Sequence, residues 1–447
     1  MTLVDKIGEF AVRSREHRDS ERTAAMRPFL ADYLVLARAG SETAPARAAR
    51  DAVADSGASI LEGDHGRVSA RSAALINGIA AHALELDDTH EEGSLHPAVA
   101  VWPAVLGVAD EVDAVADDVL VAGQIGYDVM CAVATLGGAA DIYARGFHPT
   151  GVAGSLGAAA AVASLRGGDS GDVSRAVAIA ANVSAGSLEF LSDGSWTKPL
   201  NAGWAAMVGV LAVDLAQAGF IAPATAIEGT FGWLTLYADG HPDTRTLDLS
   251  PGAGAAATSI KFYPCCRYIH GAIDLLSDIA REEGPFAAID VESIDVAVLD
   301  AGRALVADPP ERKVKVDGQV DAQFSMPFGA ALALTKGGAG LEDFVGAAHT
   351  ARDLRPLMEK VRSIRSEALE REFPAMWGAE VTVTLTDGRV IGRSEPAFKG
   401  APARPATKED IMAKAASLIG GDAARRIVDV TYEFDAERPV SQVLPRA

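Results

Sequence analysis

Cysteine is scarce in this sequence: three residues in 447, two adjacent (Cys265 and Cys266) and one alone (Cys131). No CxxC pair occurs, so a zinc ribbon or an iron–sulfur cluster lacks its usual ligand spacing. Positive charge is also short, with 40 Lys and Arg against 61 Asp and Glu and a formal net charge of −21. Such a chain repels phosphate backbones and anionic membrane surfaces, which argues against nucleic acid or a membrane as its partner. Uninterrupted apolar runs of membrane-span length are missing too. The stretch from Ala98 is broken by Pro103 and Asp110, and the one after Gly203 by Asp214. The N-terminal MTLVDKIGEFAVRSREHRD has no apolar signal core. Together these absences point to a soluble protein in a reducing, cytoplasmic compartment.

What is present is ordinary globular composition, 49% hydrophobic and 23% charged, at a length suited to two or three domains. Up to about residue 260 the chain is rich in Ala and mostly helical in period, as in 31–39, 69–86, 115–136, 152–165, 172–184 and 201–218. Near Thr258 the character changes. The stripe Ile269, Ile273, Leu276, Ile279 predicts an amphipathic helix over 267–280. Ile294, Val296 and Val298 alternate with Asp295 and Ala297, and Val381, Val383 and Leu385 alternate with threonines, so both runs read as strands. Asp387–Gly388 then predicts a hairpin in which both residues take positive φ. A Pro/Ala-rich linker over 398–407 precedes another helix at 408–418. The reading is mainly α. Residues 1–260, completed by 400–447, form a large helical domain, and residues 261–399 form a smaller α+β domain.

Four segments carry candidate chemistry. In 77–97 a continuous helix places His82, Glu85 and Thr89 within about 60° of one another, with Asp87, Asp88, His90 and His96 at its end. This is either a solvated acidic helix end, a metal site of no recognised spacing, or a catalytic face. In 145–161 Arg145 and His148 precede a helix start near Gly151, and Gly151, Gly154 and Gly157 suit close helix packing better than phosphate binding. In 193–206 Lys198 stands before a helix beginning near Asn201. In 259–274 Lys261, Arg267 and His270 fall within ten residues, and Arg267, His270 and Asp274 share one face. The cysteine pair there reads as buried thiols. An acidic chain with four such basic segments is suited to a small di- or tricarboxylate and to proton transfer by His or Lys.

These segments resemble the MmgE/PrpD family, which includes 2-methylcitrate dehydratase, cis-aconitate decarboxylase and iminodisuccinate epimerase. The matching stretches are NGIAAHALELDDTH, HPAVAVWPAVLGVAD, GYDV, GFHPTGVAGSLGAAAA, DGSWTKPLNAGWAA, KFYPCCRYIHGAID and DAQFSMPFGAALAL, collinear from about residue 77 to 335. The resemblance implies an all-helical domain with a smaller α+β lid, an active site between them, a homodimer, and acid–base chemistry with neither cofactor nor metal. It carries over Thr89, His96, His148, Lys198 and Lys261 as pocket residues. Two positions depart from the family's pattern: Glu85 stands for the usual Asp, and Phe328 for the usual Tyr.

On this reading Lys198, Lys261 and Arg267 hold substrate carboxylates and stabilise enolate-like charge, and His148 is the acid/base. Asp88, Thr89 and His96 orient substrate or carry a second proton, and Glu85, His270 and Phe328 complete the binding residues. A dehydratase of the 2-methylcitrate type leads. An epimerase of an α-substituted dicarboxylate follows, slightly favoured by the missing hydroxyl at Phe328, and a cis-aconitate-type decarboxylase is third. A polycarboxylate-sensing module and a metal hydrolase built on His82, Asp87, Asp88, His90 and His96 are the rivals from other classes.

Overall fold

The computed structural model describes every residue except 54, 240–245, 374, 375 and 447. The chain first lays down α1 (Leu3–Glu16), α2 (Arg27–Gly40), α3 (Ala70–His82), α4 (Ala98–Val112), α5 (Ala116–Gly137), α6 (Pro149–Leu165), α7 (Ser170–Val183) and α8 (Thr197–Gln217). The α+β segment follows, with α9 (Arg267–Glu283), β1 (Val291–Ala297), α10 (Met326–Lys336), α11 (Ala347–Met358), β2 (Val361–Ile364), β3 (Ala379–Leu385) and β4 (Val390–Glu395). Helices α12 (Lys408–Ile419) and α13 (Gly421–Glu433) end the chain. Shorter pieces connect these elements. Two compact units result, Met1–Thr258 with Thr407–Ala447, and Ser259–Ala406.

The first unit is built around α6. Its neighbours are α5, α8, α7 and α4, and every residue from Pro149 to Ser164 is buried. A helix enclosed on all sides has no room for a charged face, and after Pro149 and Thr150 its sequence is accordingly Ala, Gly, Val, Leu and Ser. The glycines are there for proximity. A Cβ on Gly157 would lie 2.6 Å from the Gly126 carbonyl oxygen and 2.6 Å from the Met130 Cβ. Helix α5 meets α6 backbone to backbone at this point.

Helices α5 and α8 have the length and apolar character of bilayer spans, and Pro103 lies inside α4 without ending it. Helix α5 is a core helix, with 89% of its apolar stretch buried inside the protein. Buried ion pairs fasten the C-terminal segment to this unit. Lys414 of α12 lies 2.7 Å from Asp32 of α2, and Arg446 bonds Glu62 (2.7 Å) and Asp110 (2.6 Å).

The second unit carries a four-stranded sheet in the order β2-β1-β3-β4. β1 runs parallel to β2 and antiparallel to β3, and β3 is antiparallel to β4. Ala379, Val381, Val383 and Leu385 alternate inward along β3, and α9 packs on this sheet and on α10. At the β3–β4 turn Gly388 takes φ +91°, but Asp387 does not share the positive φ expected of it.

Gly157→Ala should therefore cost about 1–3 kcal/mol through overpacking. Thermal unfolding of the variant at neutral pH measures it; an unchanged melting temperature would show that α5 and α6 yield freely.

Candidate functional site

In the first unit the site is assembled where α3 stops. The continuous helix expected through Leu86 does not form. Helix α3 ends at His82, and Glu85 turns back in the left-handed region at φ +58°. The face shared by His82, Glu85 and Thr89 is thus produced by a tight turn, not by helical spacing. The turn brings Asp87 under His82, whose Nδ1 lies 2.8 Å from Asp87 Oδ2. Ten residues beyond the turn the chain delivers His96, with its backbone N–H held by the Thr150 hydroxyl at 3.1 Å. His96 Nδ1 lies 2.8 Å from the Asp88 carbonyl oxygen, 3.1 Å from the same Asp87 Oδ2 and 3.5 Å from the Thr89 hydroxyl.

A carbonyl oxygen only accepts, so His96 carries a proton on Nδ1. Burial alone would raise the Asp87 carboxyl, yet the two imidazoles outweigh it and hold the group well below the ordinary carboxylate range. An ionised Asp87 is likewise only an acceptor, so His82 also donates from Nδ1. The fully enclosed Asp87 Oδ2 therefore receives the His82 N–H, and His96 Nδ1, which donates to the Asp88 carbonyl, lies 3.1 Å from the same oxygen.

His148 is the N-cap residue of α6, and its backbone N–H donates to the Gly186 carbonyl at 2.9 Å. Its ring lies 6.0 Å from that of His82 and 6.4 Å from that of His96, with Phe190 edge-on at 5.7 Å. Asn201 of α8 donates from Nδ2 to the Ser187 carbonyl (3.2 Å), which fixes its amide orientation. The same Nδ2 faces His148 Nδ1 at 3.4 Å, so that nitrogen is the acceptor and a neutral His148 carries its proton on Nε2. Burial, then the charges of Lys198, His82 and His96, lower His148 well below its usual value, which keeps it neutral. Lys198 lies in the first turn of α8, which begins at Thr197 instead of near Asn201, and is ion-paired with Glu85.

One ring nitrogen from each of His82, His96 and His148 falls within 4.8 Å of the others. Ligands about 2.0–2.1 Å from a tetrahedral zinc would lie roughly 3.3 Å apart. Each ring has a partner at Nδ1, which sets its tautomer for proton handling.

Two expected roles change in this unit. Asp88 does not face the imidazoles: its Oδ2 accepts from the Tyr127 hydroxyl at 2.6 Å and its Oδ1 from the Ala98 N–H at 2.9 Å, which anchors the start of α4. His90 accepts the Gly93 N–H and belongs to the loop framework; burial lowers it to about 4. Asp87 and His82, which the sequence reading assigned only to the rival metal hydrolase, are brought to His96 by the turn.

In the second unit Lys261 is buried at 1% exposure. His270 donates from Nε2 to the Cys265 carbonyl (3.2 Å), leaving Nδ1 to accept from Arg267 at 3.3 Å. Arg267 also stacks over Phe398 and reaches the Lys399 carbonyl. Asp274, which shares a helix face with Arg267 and His270, accepts from the Tyr263 hydroxyl and the Lys399 N–H. His270 is thus engaged at both nitrogens within its own unit. Phe328 is fully enclosed there, edge-on to Phe344 at 5.3 Å, so it serves that unit's core and not, as expected, a substrate.

A helical scaffold carrying a carboxylate-backed imidazole, a neutral imidazole and a lysine defines an acid–base enzyme. Residues 5–246 match the MmgE/PrpD N-terminal domain and residues 263–432 the MmgE/PrpD C-terminal domain. The chain belongs to the MmgE/PrpD family, and it is a lyase-type enzyme of that family. It is 26% identical over 404 residues to the cis-aconitate decarboxylase-like protein oryM of Aspergillus oryzae, covering 85% of this chain and 82% of that protein. It is 25% identical to the cis-aconitate decarboxylase of Mus musculus (81% of this chain, 75% of the relative) and 25% to that of Homo sapiens (81% and 76%).

Burial pushes the Asp88 carboxyl up to about 8, against the pull of Tyr127 and the Ala98 N–H. A raised carboxyl favours the fold below its unfolded value near about 3.9, and that benefit is lost as pH climbs through about 8. Asn mimics the protonated form. Asp88→Asn should therefore lower the melting temperature most near pH 4 and progressively less toward pH 9. A difference that stayed constant with pH would show that Asp88 is ionised throughout.

Proposed function

We propose that this protein is a cofactor-independent acid–base lyase acting on a small tri- or dicarboxylate, with acids of the cis-aconitate type as its substrate class. The observation that carries the reading is the grouping of His96, backed by a buried carboxylate, with neutral His148 and the Lys198–Glu85 pair. The curated relatives named above support the same substrate class. This moves the decarboxylase ahead of the 2-methylcitrate-type dehydratase favoured by the sequence.

In such a decarboxylation the bond from carbon to one carboxylate breaks and CO2 leaves. The freed electron pair forms a new double bond, the old double bond opens toward the carbon beside another carboxylate, and that carbon takes a proton. His96 in its charged form supplies the proton. The Nε2–H of His148 and the ammonium of Lys198 stabilise the dienolate-like charge, each such contact contributing roughly 3–4 kcal/mol. Thr89, whose hydroxyl lies 3.5 Å from His96 Nδ1, helps orient that ring. Lys261 is the proposed carboxylate-holding cation of the second unit.

Dehydration is the second reading, because water loss needs both a base and a donor, and His96 and His148 differ in that sense. Epimerisation of an α-substituted dicarboxylate would use the same two groups.

We also propose a homodimer. Trp196, Leu200 and Trp204 recur at i, i+4, i+8 at the start of α8, and Phe220, Ile221 and Phe231 are exposed in the same unit. Three buried free thiols support a reducing, cytoplasmic setting.

Proton NMR of chelator-treated enzyme in D2O, with cis-aconitate, 2-methylcitrate, citrate and N-substituted aspartates, tests the chemistry. Loss of the cis-aconitate vinyl signal, with a new terminal methylene pair and one deuteron entering beside a carboxylate, is the expected result. New vinyl signals from a saturated acid would replace it by dehydration, and α-deuteration alone by epimerisation. Silence across the panel would overturn the substrate class. His148→Ala, with an unchanged circular dichroism spectrum, should lower kcat by about 10²–10⁴-fold. Light scattering should give twice the chain mass.

A further inference from the structure

We propose that Asp87 and His82 are positioning residues for His96: the carboxylate oxygen beside both rings holds positive charge on them, and His82 shares with His96 a single proton that keeps His96 ready to act as an acid. The catalytic consequence rests on the reading above; the proton sharing itself does not.

The geometry is specific. Asp87 Oδ2 lies 2.8 Å from His82 Nδ1 and 3.1 Å from His96 Nδ1. The Asp87 and His82 side chains are wholly enclosed, while that of His96 keeps 10% of its surface exposed. His96 is therefore the member of the trio that meets what enters, and the other two stand behind it. The His82 and His96 rings approach to 4.8 Å between centroids. His82 Nε2 and Asp87 Oδ1 are buried without hydrogen-bond partners.

An enclosed carboxylate with no countercharge is costly, so the stable state has one imidazolium beside it. Two imidazoliums 4.8 Å apart would repel one another, and none would leave the carboxylate unanswered. One proton on the pair is the balanced state, and the pair titrates as a unit. When His96 gives its Nε2 proton to substrate it becomes neutral, its Nδ1–H stays on the Asp88 carbonyl, and the Asp87 carboxylate beside it then favours recharging it.

Charged and titratable groups around the trio among the described residues include His148, the Lys198–Glu85 pair, Asp88, and the Asp32–Lys414 pair that faces it from α2 and α12. Lys414 also donates to the Leu86 carbonyl at 2.8 Å, next to Asp87. Lys198 is answered by Glu85, and Lys414 by Asp32. The carboxylate thus turns to the two histidines.

Selective 15N-histidine labelling and NMR titration of the full-length protein test this without substrate. In the wild type, one proton should stay on the His82–His96 pair above the ordinary histidine value of about 6.5, and a second should bind only well below it. Two independent midpoints near about 6.5 would overturn the proposal.

The variants should move His96 in opposite directions. Asp87→Asn removes the carboxylate and should lower the His96 midpoint by about one unit or more. His82→Gln keeps a donor toward Asp87 but removes the competing imidazole, so the His96 midpoint should rise. If Asp87→Asn does not fold, His82→Gln and the wild-type titration still decide. Midpoints unmoved in folded variants would show that Asp87 and His82 serve packing alone.

With an active substrate, Asp87→Asn should lower kcat by about 10²–10⁴-fold at nearly constant KM, as loss of a backing carboxylate does elsewhere. The limb of its pH profile that reports His96 should move with the NMR midpoint. Opposed NMR shifts in a protein silent toward every acid tested would sustain the proton sharing and remove the substrate reading. Full activity of Asp87→Asn with an unmoved profile would remove the proton sharing.

Discussion

A carboxylate with no exposed surface has to be answered, and in this protein the answer organises the site. Asp87 is enclosed at the turn after α3, and the two imidazoles that neutralise it come from the last residue of that helix and from the approach to α4. The turn between them is held at several points. Glu85 accepts a left-handed backbone and pairs with Lys198, and the Leu86 carbonyl takes the Lys414 ammonium. The Asp88 side chain anchors the start of α4, and the Thr150 hydroxyl on α6 grips the His96 N–H. Each anchor comes from a different element, so the turn is over-determined, as a strained but functional segment must be.

The scaffold makes this affordable through small residues. Helix α6 runs through the middle of the first unit and needs neighbours on every side, which Ala and Gly permit by letting backbones approach. Its N-terminus then delivers His148 into the interior at a fixed height, and α8 beside it supplies both Asn201, which sets the His148 tautomer, and Lys198. Two imidazoles a few ångströms apart consequently differ in charge for different reasons. His148 is kept neutral by burial and nearby positive charge. His96 is offered a carboxylate. A site of this kind has a proton donor and a polarising group.

Charge is partitioned in the same economical way. The chain is strongly acidic as a whole, and three of its enclosed or half-buried cations are matched by carboxylates: Lys414 by Asp32, Arg446 by Glu62 and Asp110, Lys198 by Glu85. Breaking such a buried pair is far more damaging than never having built it. The C-terminal segment, far from the site in sequence, is tied to the first unit by two of these contacts.

The amino-acid order by itself determined the mainly helical character, the change of composition near residue 258, the strands of the second unit and the family, because each is a local or collinear property. Alanine content, period-2 alternation and quoted motifs survive without knowledge of what touches what. It also marked His96, His148 and Lys198 as chemistry-bearing. Tertiary structure alone decided which carboxylate serves them. Asp87 and Asp88 are adjacent and chemically equivalent on paper, and only the turn at Glu85 sends one to the imidazoles and the other to Tyr127. The same holds for His270 and Phe328, whose types suited a pocket but whose neighbours, Cys265 and Phe344, make them part of the second unit's interior. A side chain's direction depends on backbone dihedrals and on partners distant in sequence, and neither is written in the residue's own identity.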